Sequence, residues 1–197
     1  MSRVKLIIGL GNPGATYAKT RHNMGQRLVE ALVQNSGARW KSQKSLRSKC
    51  VETNYGSEIF MAALSESYMN ESGDAVKRLV EHFEIDFKSD LLVVVDDVAL
   101  PLGKLRLRGS GSDGGHRGLR SINEALESSS YARLRIGIAP NSPLKIPLEK
   151  YVLETFKAEE EKELKKILER GVEACRLWIS EPLERAMNFA NKVLADS

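Results

Sequence analysis

The chain predicts an α/β fold in a single domain, with a mostly parallel central sheet flanked by helices. Three observations carry this expectation. Short apolar runs alternate with amphipathic stretches along the sequence, the pattern of strand–helix units. Leu91–Val95 is five consecutive apolar residues, as in a strand buried on both faces. Neither a repeat nor a linker interrupts the 197 residues, and 42% hydrophobic content is enough for one core.

The elements follow in order. Val4–Leu10 is an apolar run reaching a glycine pair and reads as a buried strand. Gly11–Asn23 is a loop. Met24, Leu28, Val29 and Leu32 share one helical face, so a helix is expected over Met24–Ser36, stopped by Gly37. Arg47–Asn54 and Glu58–Leu64 are strands joined by a turn at Tyr55-Gly56-Ser57. Ala75, Val76, Leu79, Val80 and Phe83 place a helix over Ser72–Glu84. After Leu91–Val95, Lys104–Arg108 alternates cation and leucine as a half-exposed strand. Gly109–Gly118 is a loop with five glycines in ten residues, followed by a helix near Leu119–Glu127. Arg133–Ile138 alternates again, with Arg133 and Arg135 on one face. Ala139–Pro147 holds three prolines and reads as a loop. Helices near Ala158–Ile179 and Leu183–Leu194 end the chain, the first with Leu164, Ile167, Leu168, Val172, Cys175 and Trp178 on one side.

Composition narrows the function classes. The longest apolar runs fall far short of the roughly 20 residues of a membrane span. The chain enters its first strand where a leader would place a basic and then an apolar segment, so no targeting segment is expected. Cys50 and Cys175 offer neither a metal spacing nor a disulfide framework, which fits a reducing cytosol. The net charge of +4 is uneven: residues 1–135 hold 20 basic and 15 acidic groups, the remainder 10 and 11. Five cations and no acid lie between Arg39 and Val51. A polyanionic partner follows from this bias.

Gly9–Gly14 (GLGNPG) matches G-x-G-x-x-G after a strand, the fingerprint of a dinucleotide site. Its context disagrees. Pro13 sits inside the loop, the helical pattern starts only near Met24, and the first acid downstream, Glu30, falls within a helix. A bare turn remains one reading. A loop presenting Asn12 at the C-terminal end of a strand is the other.

Three more polar clusters share that location: Thr20-Arg21-His22-Asn23, Tyr68-Met69-Asn70, and Asp96-Asp97 at the end of the most apolar run. In a parallel sheet they converge with Asn12 on one edge. A carboxylate beside a histidine fixes its tautomer and makes it a better base toward water. Asparagine amides hold a carbonyl and stabilise an oxyanion. His22, Asp96, Asn12 and Asn70 thus form a hydrolytic set without a side-chain nucleophile. Plainer roles stand beside this one: His22 and Asn70 as helix caps, Asp96 or Asp97 paired with a surface cation, Tyr17 and Tyr68 in packing. His82 lies off its helix's apolar stripe and is read as surface. His116 sits in the glycine loop, where packing residues are rare.

Competing motifs are missing. There is no H-E-x-x-H, no G-x-x-x-x-G-K-[ST], and no serine with glycine at both −2 and +2. The glycine loop can bring backbone amides close to a phosphate. Lys104, Arg106, Arg108, Arg117 and Arg120 flank it, with Arg133 and Arg135 on the next strand, a stripe suited to positioning phosphates.

In this order the clusters resemble the bacterial-type peptidyl-tRNA hydrolases. The matching pieces are Ile7–Gly14, Tyr17 with Thr20–Gly25, Tyr68–Gly73, Asp96 with Leu100-Pro101, Gly111–Leu119 and Arg133–Ile138. The resemblance implies a monomeric α/β fold with a central mixed sheet, acting in the cytoplasm without metal or organic cofactor. It implies hydrolysis of the ester between a peptide and the 3′ ribose of tRNA, with peptidyl-tRNA held by its acceptor stem and 3′ end. By position, His22 is similar to the water-activating base and Asp96 to its orienting carboxylate. Asn12 matches the residue that distinguishes N-blocked from free aminoacyl-tRNA, and Asn70 the one that holds the peptide-side carbonyl and water. Tyr17, Asn23, Tyr68, Met69 and His116 match groups lining the cleft, and Arg108 and Arg135 match phosphate-clamping positions. The chain departs from the pattern at three places. Arg117 replaces an asparagine that contacts the substrate end, Ala99 an acid, and Tyr68 a phenylalanine. Arg117 keeps a second reading open, a non-catalytic RNA-binding relative. A dinucleotide-dependent oxidoreductase is a third, disfavoured by Pro13.

Overall fold

The computed structural model describes residues 4–140 and 142–192. Seven strands form one mixed sheet: β1 (Lys5–Gly9), β2 (Lys41–Gln43), β3 (Ser48–Tyr55), β4 (Glu58–Ser65), β5 (Leu91–Pro101), β6 (Leu105–Arg108) and β7 (Ala132–Ala139). Their order across the sheet is β2-β3-β4-β1-β5-β7-β6. The central strands β4, β1, β5 and β7 are mutually parallel, whereas β2, β3 and β6 add antiparallel pairs at the edges. The helices are α1 (Met24–Val33), α2 (Ser72–His82), α3 (Arg117–Ala125), α4 (Leu148–Tyr151), α5 (Ala158–Ser180) and α6 (Leu183–Asn191).

The two-residue period of the strands divides the core into two layers. Ile7, Leu92, Val94, Leu134 and Ile136 face α1, α5 and α6. Leu6, Ile8, Val93 and Val95 face α2 and α3. Among the described residues, no helix is long and apolar enough to cross a membrane.

Gly9 of the first motif serves packing, together with Gly25. A Cβ on Gly9 would stand 2.5 Å from the carbonyl oxygen of Gly25, and one on Gly25 2.2 Å from that of Val94. Both glycines let the first turn of α1 rest directly on β1 and β5. The turn before α1 is thereby carried to the end of β5.

Several boundaries differ from those the sequence predicts. The strand expected over Leu91–Val95 continues to Pro101, because its backbone stays paired with β7 past the point where its side chains turn polar. Asp96 and Asp97 therefore lie inside a strand, opposite Ile136 and Gly137. The Met24 helix stops at Val33 rather than Ser36, and the Ser72 helix at His82 rather than Glu84. The helix expected from Leu119 begins at Arg117, since the His116 ring caps it by accepting the Leu119 N–H at 3.3 Å. β2 was not expected, being three polar residues, and α4 is a single turn hidden among prolines. The last helix runs to Asn191; Leu194 lies outside the described residues.

Candidate active site

Parallel strands deliver their C-terminal ends to one edge of the sheet, and a cleft of about 270 Å³ opens there. Asn12 reaches it from the loop after β1, His22 from a 3-10 turn (Arg21–Asn23), and Tyr68, Met69 and Asn70 from a second 3-10 turn after β4. Asp96 and Asp97 come from β5, and Gly114, Gly115, His116 and Arg117 from the glycine loop and the start of α3.

Asp96 lies at the centre and is 1% exposed. Its Oδ1 is 2.8 Å from His22 Nδ1 and 3.1 Å from His116 Nε2. Burial alone would raise its pKa, but the two imidazoles outweigh this and hold the carboxyl well below the usual carboxylate range. An ionised carboxylate only accepts hydrogen bonds, so both ring nitrogens donate to it. His116 Nδ1 accepts from Leu119, which leaves its single proton on Nε2. His22 carries a proton on Nδ1 in the same way, and its Nε2 has no partner among the described residues.

The asparagines have different duties. The backbone N–H of Asn12 donates to Asn23 Oδ1 and its carbonyl accepts from Asn23 Nδ2, both at 2.9 Å. Asn12 Oδ1 accepts the Met69 N–H at 2.9 Å. With its oxygen engaged, Asn12 has its amide hydrogens left to offer. The Asn70 amide has no partner among the described residues and is exposed on the rim. Tyr68 is 54% exposed, whereas Met69 is buried beneath it.

Some residues matched to the cleft by position do not line it. Asn23 is 1% exposed and sits under the cleft floor, tying the Asn12 loop to the His22 turn. Tyr17 is half-buried in the preceding turn and is not among the lining residues. Arg108 lies on β6, outside the cleft. The cationic stripe also divides. Arg133 is buried, stacks 4.2 Å from the Tyr131 ring centroid, and donates to the carbonyls of Gly111, Ser112, Ser129 and Tyr131. It braces the glycine loop and is not free to meet a ligand. Arg135 lines the cleft and donates to Asp97 Oδ2 at 3.2 Å and the Ser112 carbonyl at 2.7 Å. Arg106 and Arg108 oppose Arg135 and Arg133 across the β6–β7 pair, which puts all four on one face. Arg117 is 65% exposed and stands 3.8 Å from Glu149.

Two of the five cations before Val51 lie against acids. Arg47 pairs with Glu71 and Asp74, and Lys49 lies 3.9 Å from Glu66. Lys41 opens the short edge strand β2 and Lys44 follows it, where lysines deter another sheet from adding on.

The fourth wall escaped sequence reasoning: Leu148, Glu149, Val152 and Leu153, in and just after α4. The spacing of Leu148, Val152 and Leu153 was the available signal, masked by Pro140, Pro143 and Pro147. Possible metal ligands also gather here, since one atom each of His22, Asp96 and His116 lies within 4.8 Å of the others. The same atoms are already joined by the two hydrogen bonds to Asp96 Oδ1.

A histidine held by a buried carboxylate, beside two amides and a cationic face, is an arrangement compatible with a hydrolase that needs no side-chain nucleophile. Comparison with known proteins gives the family. The family model described as Peptidyl-tRNA hydrolase matches residues 6–196. A peptidyl-tRNA hydrolase of Roseiflexus castenholzii is 44% identical over 94% of this chain and 86% of its own. One from Aquifex aeolicus is 39% identical over 96% and 97%. The crystal structure of peptidyl-tRNA hydrolase from Acinetobacter baumannii superposes with a TM-score of 0.88 at 32% identity, covering 97% of this chain and 96% of that one. The chain belongs to the peptidyl-tRNA hydrolase family, and its activity is the hydrolysis of peptidyl-tRNA.

Proposed function

We propose that His22 is the general base of this hydrolysis and that Asp96 holds it in the working tautomer. The observation that carries the reading is the 2.8 Å contact between His22 Nδ1 and Asp96 Oδ1 at the cleft floor. His22 Nε2 takes a proton from water, and the water oxygen attacks the ester carbonyl. Asn12 offers its amide hydrogens to the N-blocked peptide, and the Asn70 amide donates to the ester carbonyl, whose oxygen becomes the oxyanion. Asn70, free on the rim, holds substrate and water. The proton passes to the departing 3′ oxygen, giving free tRNA and a peptide acid. Tyr68 and Met69 flank the peptide. Arg117, Arg135, Arg106 and Arg108 take the phosphates of the 3′ end and acceptor stem. The chain works as a monomer, and its two unpaired cysteines suit the reducing cytoplasm.

The test is hydrolysis of N-acetyl-aminoacyl-tRNA by wild type and His22→Ala. Wild type releases free tRNA, and the variant loses roughly 10²–10⁴-fold in rate, the usual size of a general-base contribution. Equal rates in the two proteins remove His22 from the mechanism.

A further inference from the structure

Arg21 is 3% exposed despite its charge. Its guanidinium lies 4.4 Å from the ring centroid of Tyr151 and 4.5 Å from that of Phe156. Nη1 and Nη2 donate to Glu160 Oε1 and Oε2, at 3.1 and 2.8 Å, in the first turn of α5. The backbone repeats the join: the Arg21 N–H donates to Glu154, the His22 N–H to Val152, and Thr20 bridges to Thr155. The side chain and these bonds together fasten the His22 turn to residues 148–156, which include a wall of the cleft.

A buried ion pair adds little net stability, because desolvation offsets much of its attraction. Here Arg21 Nε is also left without a partner. A hydrocarbon side chain between the two rings would serve folding as well. What the planar two-pronged fork adds is direction, since it fixes both distance and orientation to the carboxylate. We propose that Arg21 and Glu160 are a positioning pair, by which α5 sets the His22 ring against Asp96 and holds the Leu148–Leu153 wall in place. The proposal rests on the reading of His22 as base.

A built-in comparison lies nearby. Arg27 donates to Glu161 at 3.1 and 2.9 Å in the same two-pronged manner and also joins α5 to α1. That pair is more exposed and does not hold the His22 turn.

Glu160→Gln and Glu161→Gln are therefore to be compared at a temperature where both are folded. Two quantities are read: the kinetics with N-acetyl-aminoacyl-tRNA, and the nuclear magnetic resonance signal of the His22 Nδ1 proton held by Asp96. Glu160→Gln is expected to lower kcat by about 10- to 100-fold, the cost of misplacing a catalytic group by up to an ångström. KM moves less than kcat, and the proton signal shifts or broadens. Glu161→Gln keeps both readouts whatever its melting temperature. Wild-type kcat with an undisturbed signal in Glu160→Gln overturns the proposal, as do equal losses in the two variants. Should Glu160→Gln not fold, Arg21→Lys keeps the charge between the rings and loses the fork, and the same outcomes are read on it. An active His22→Ala strikes the reading beneath. An inactive His22→Ala beside a fully active Glu160→Gln strikes this inference alone.

Discussion

Gly25 packs against Val94 so closely that a Cβ at residue 25 would stand 2.2 Å from the Val94 carbonyl oxygen. The opposing atom is backbone and cannot swing aside. Gly25→Ala must push α1 off β5 and carry His22 away from Asp96. The expected result is a loss of at least about 1–3 kcal/mol in denaturant unfolding, the range for overpacked sites, together with a fall in kcat. An alanine variant with wild-type stability and rate contradicts the role given to this contact.

Asp96→Asn keeps the volume of the side chain and removes the charge that both imidazoles address. Its amide can donate to His22 Nδ1 and so favour the wrong tautomer. The expected fall in kcat approaches that of His22→Ala, about 10²–10⁴-fold. A pH dependence accompanies it. Because the Asp96 carboxyl is held low in the folded chain, its ionisation stabilises the fold fully above the ordinary aspartate value, about 3.9. That contribution drains away as pH falls below it toward the lowered folded value. The gap in melting temperature between wild type and Asp96→Asn should narrow from pH 7 to pH 3. A gap that widens steadily below pH 4 speaks against the assignment.

Both thiols are expected to be silent in the native protein. Burial pushes Cys50 up to about 11 and Cys175 up to about 12. At pH 8 almost none of either is thiolate, and neither sulfur is accessible. A disulfide reagent should titrate no thiol before denaturation and two after it. Rapid labelling of the folded chain contradicts this.

The arginines around the glycine loop separate by task. Arg133→Met strands four carbonyl contacts, two of them in the glycine loop, and should lower stability by about 1–3 kcal/mol, the cost of unsatisfied buried polar groups. Arg108→Ala and Arg117→Asn should leave stability within about 0.5 kcal/mol, as exposed substitutions do. Each should reduce the slope of log affinity for tRNA against log salt by about one. The reverse assignment, with Arg133 altering the salt slope at unchanged stability, would show that it meets RNA directly.

Much of the site was legible because its residues belong to local patterns. The apolar strands announce a parallel sheet, and such a sheet brings Asn12, Asn70 and Asp96 to one edge although 84 positions separate the first from the last. The His22–Asp96 contact followed from that topology. What escaped depends on groups without a side-chain signature. Backbone pairing carries β5 past Val95, where no periodicity records it. Arg133 and Arg135 are equivalent by alternation and both donate to the glycine loop, yet only Arg135 lines the cleft. Asn23 carries the same kind of amide as Asn12, but its bonds to the Asn12 backbone turn it downward. The α4 wall was concealed by neighbouring prolines, whose loop propensity outweighs three apolar residues.

The parallel order of β4, β1, β5 and β7 also bears on how the chain reaches its working form. Parallel neighbours cannot be joined by a hairpin, so every pairing that builds the cleft closes a long stretch of polypeptide. The groups at its floor come from five segments, and none is assembled by local structure alone. Helices and the β3–β4 hairpin can form early, yet turnover must await the last crossover. A nascent chain still lacking β7 would hold most of the reactive groups and have no competent centre.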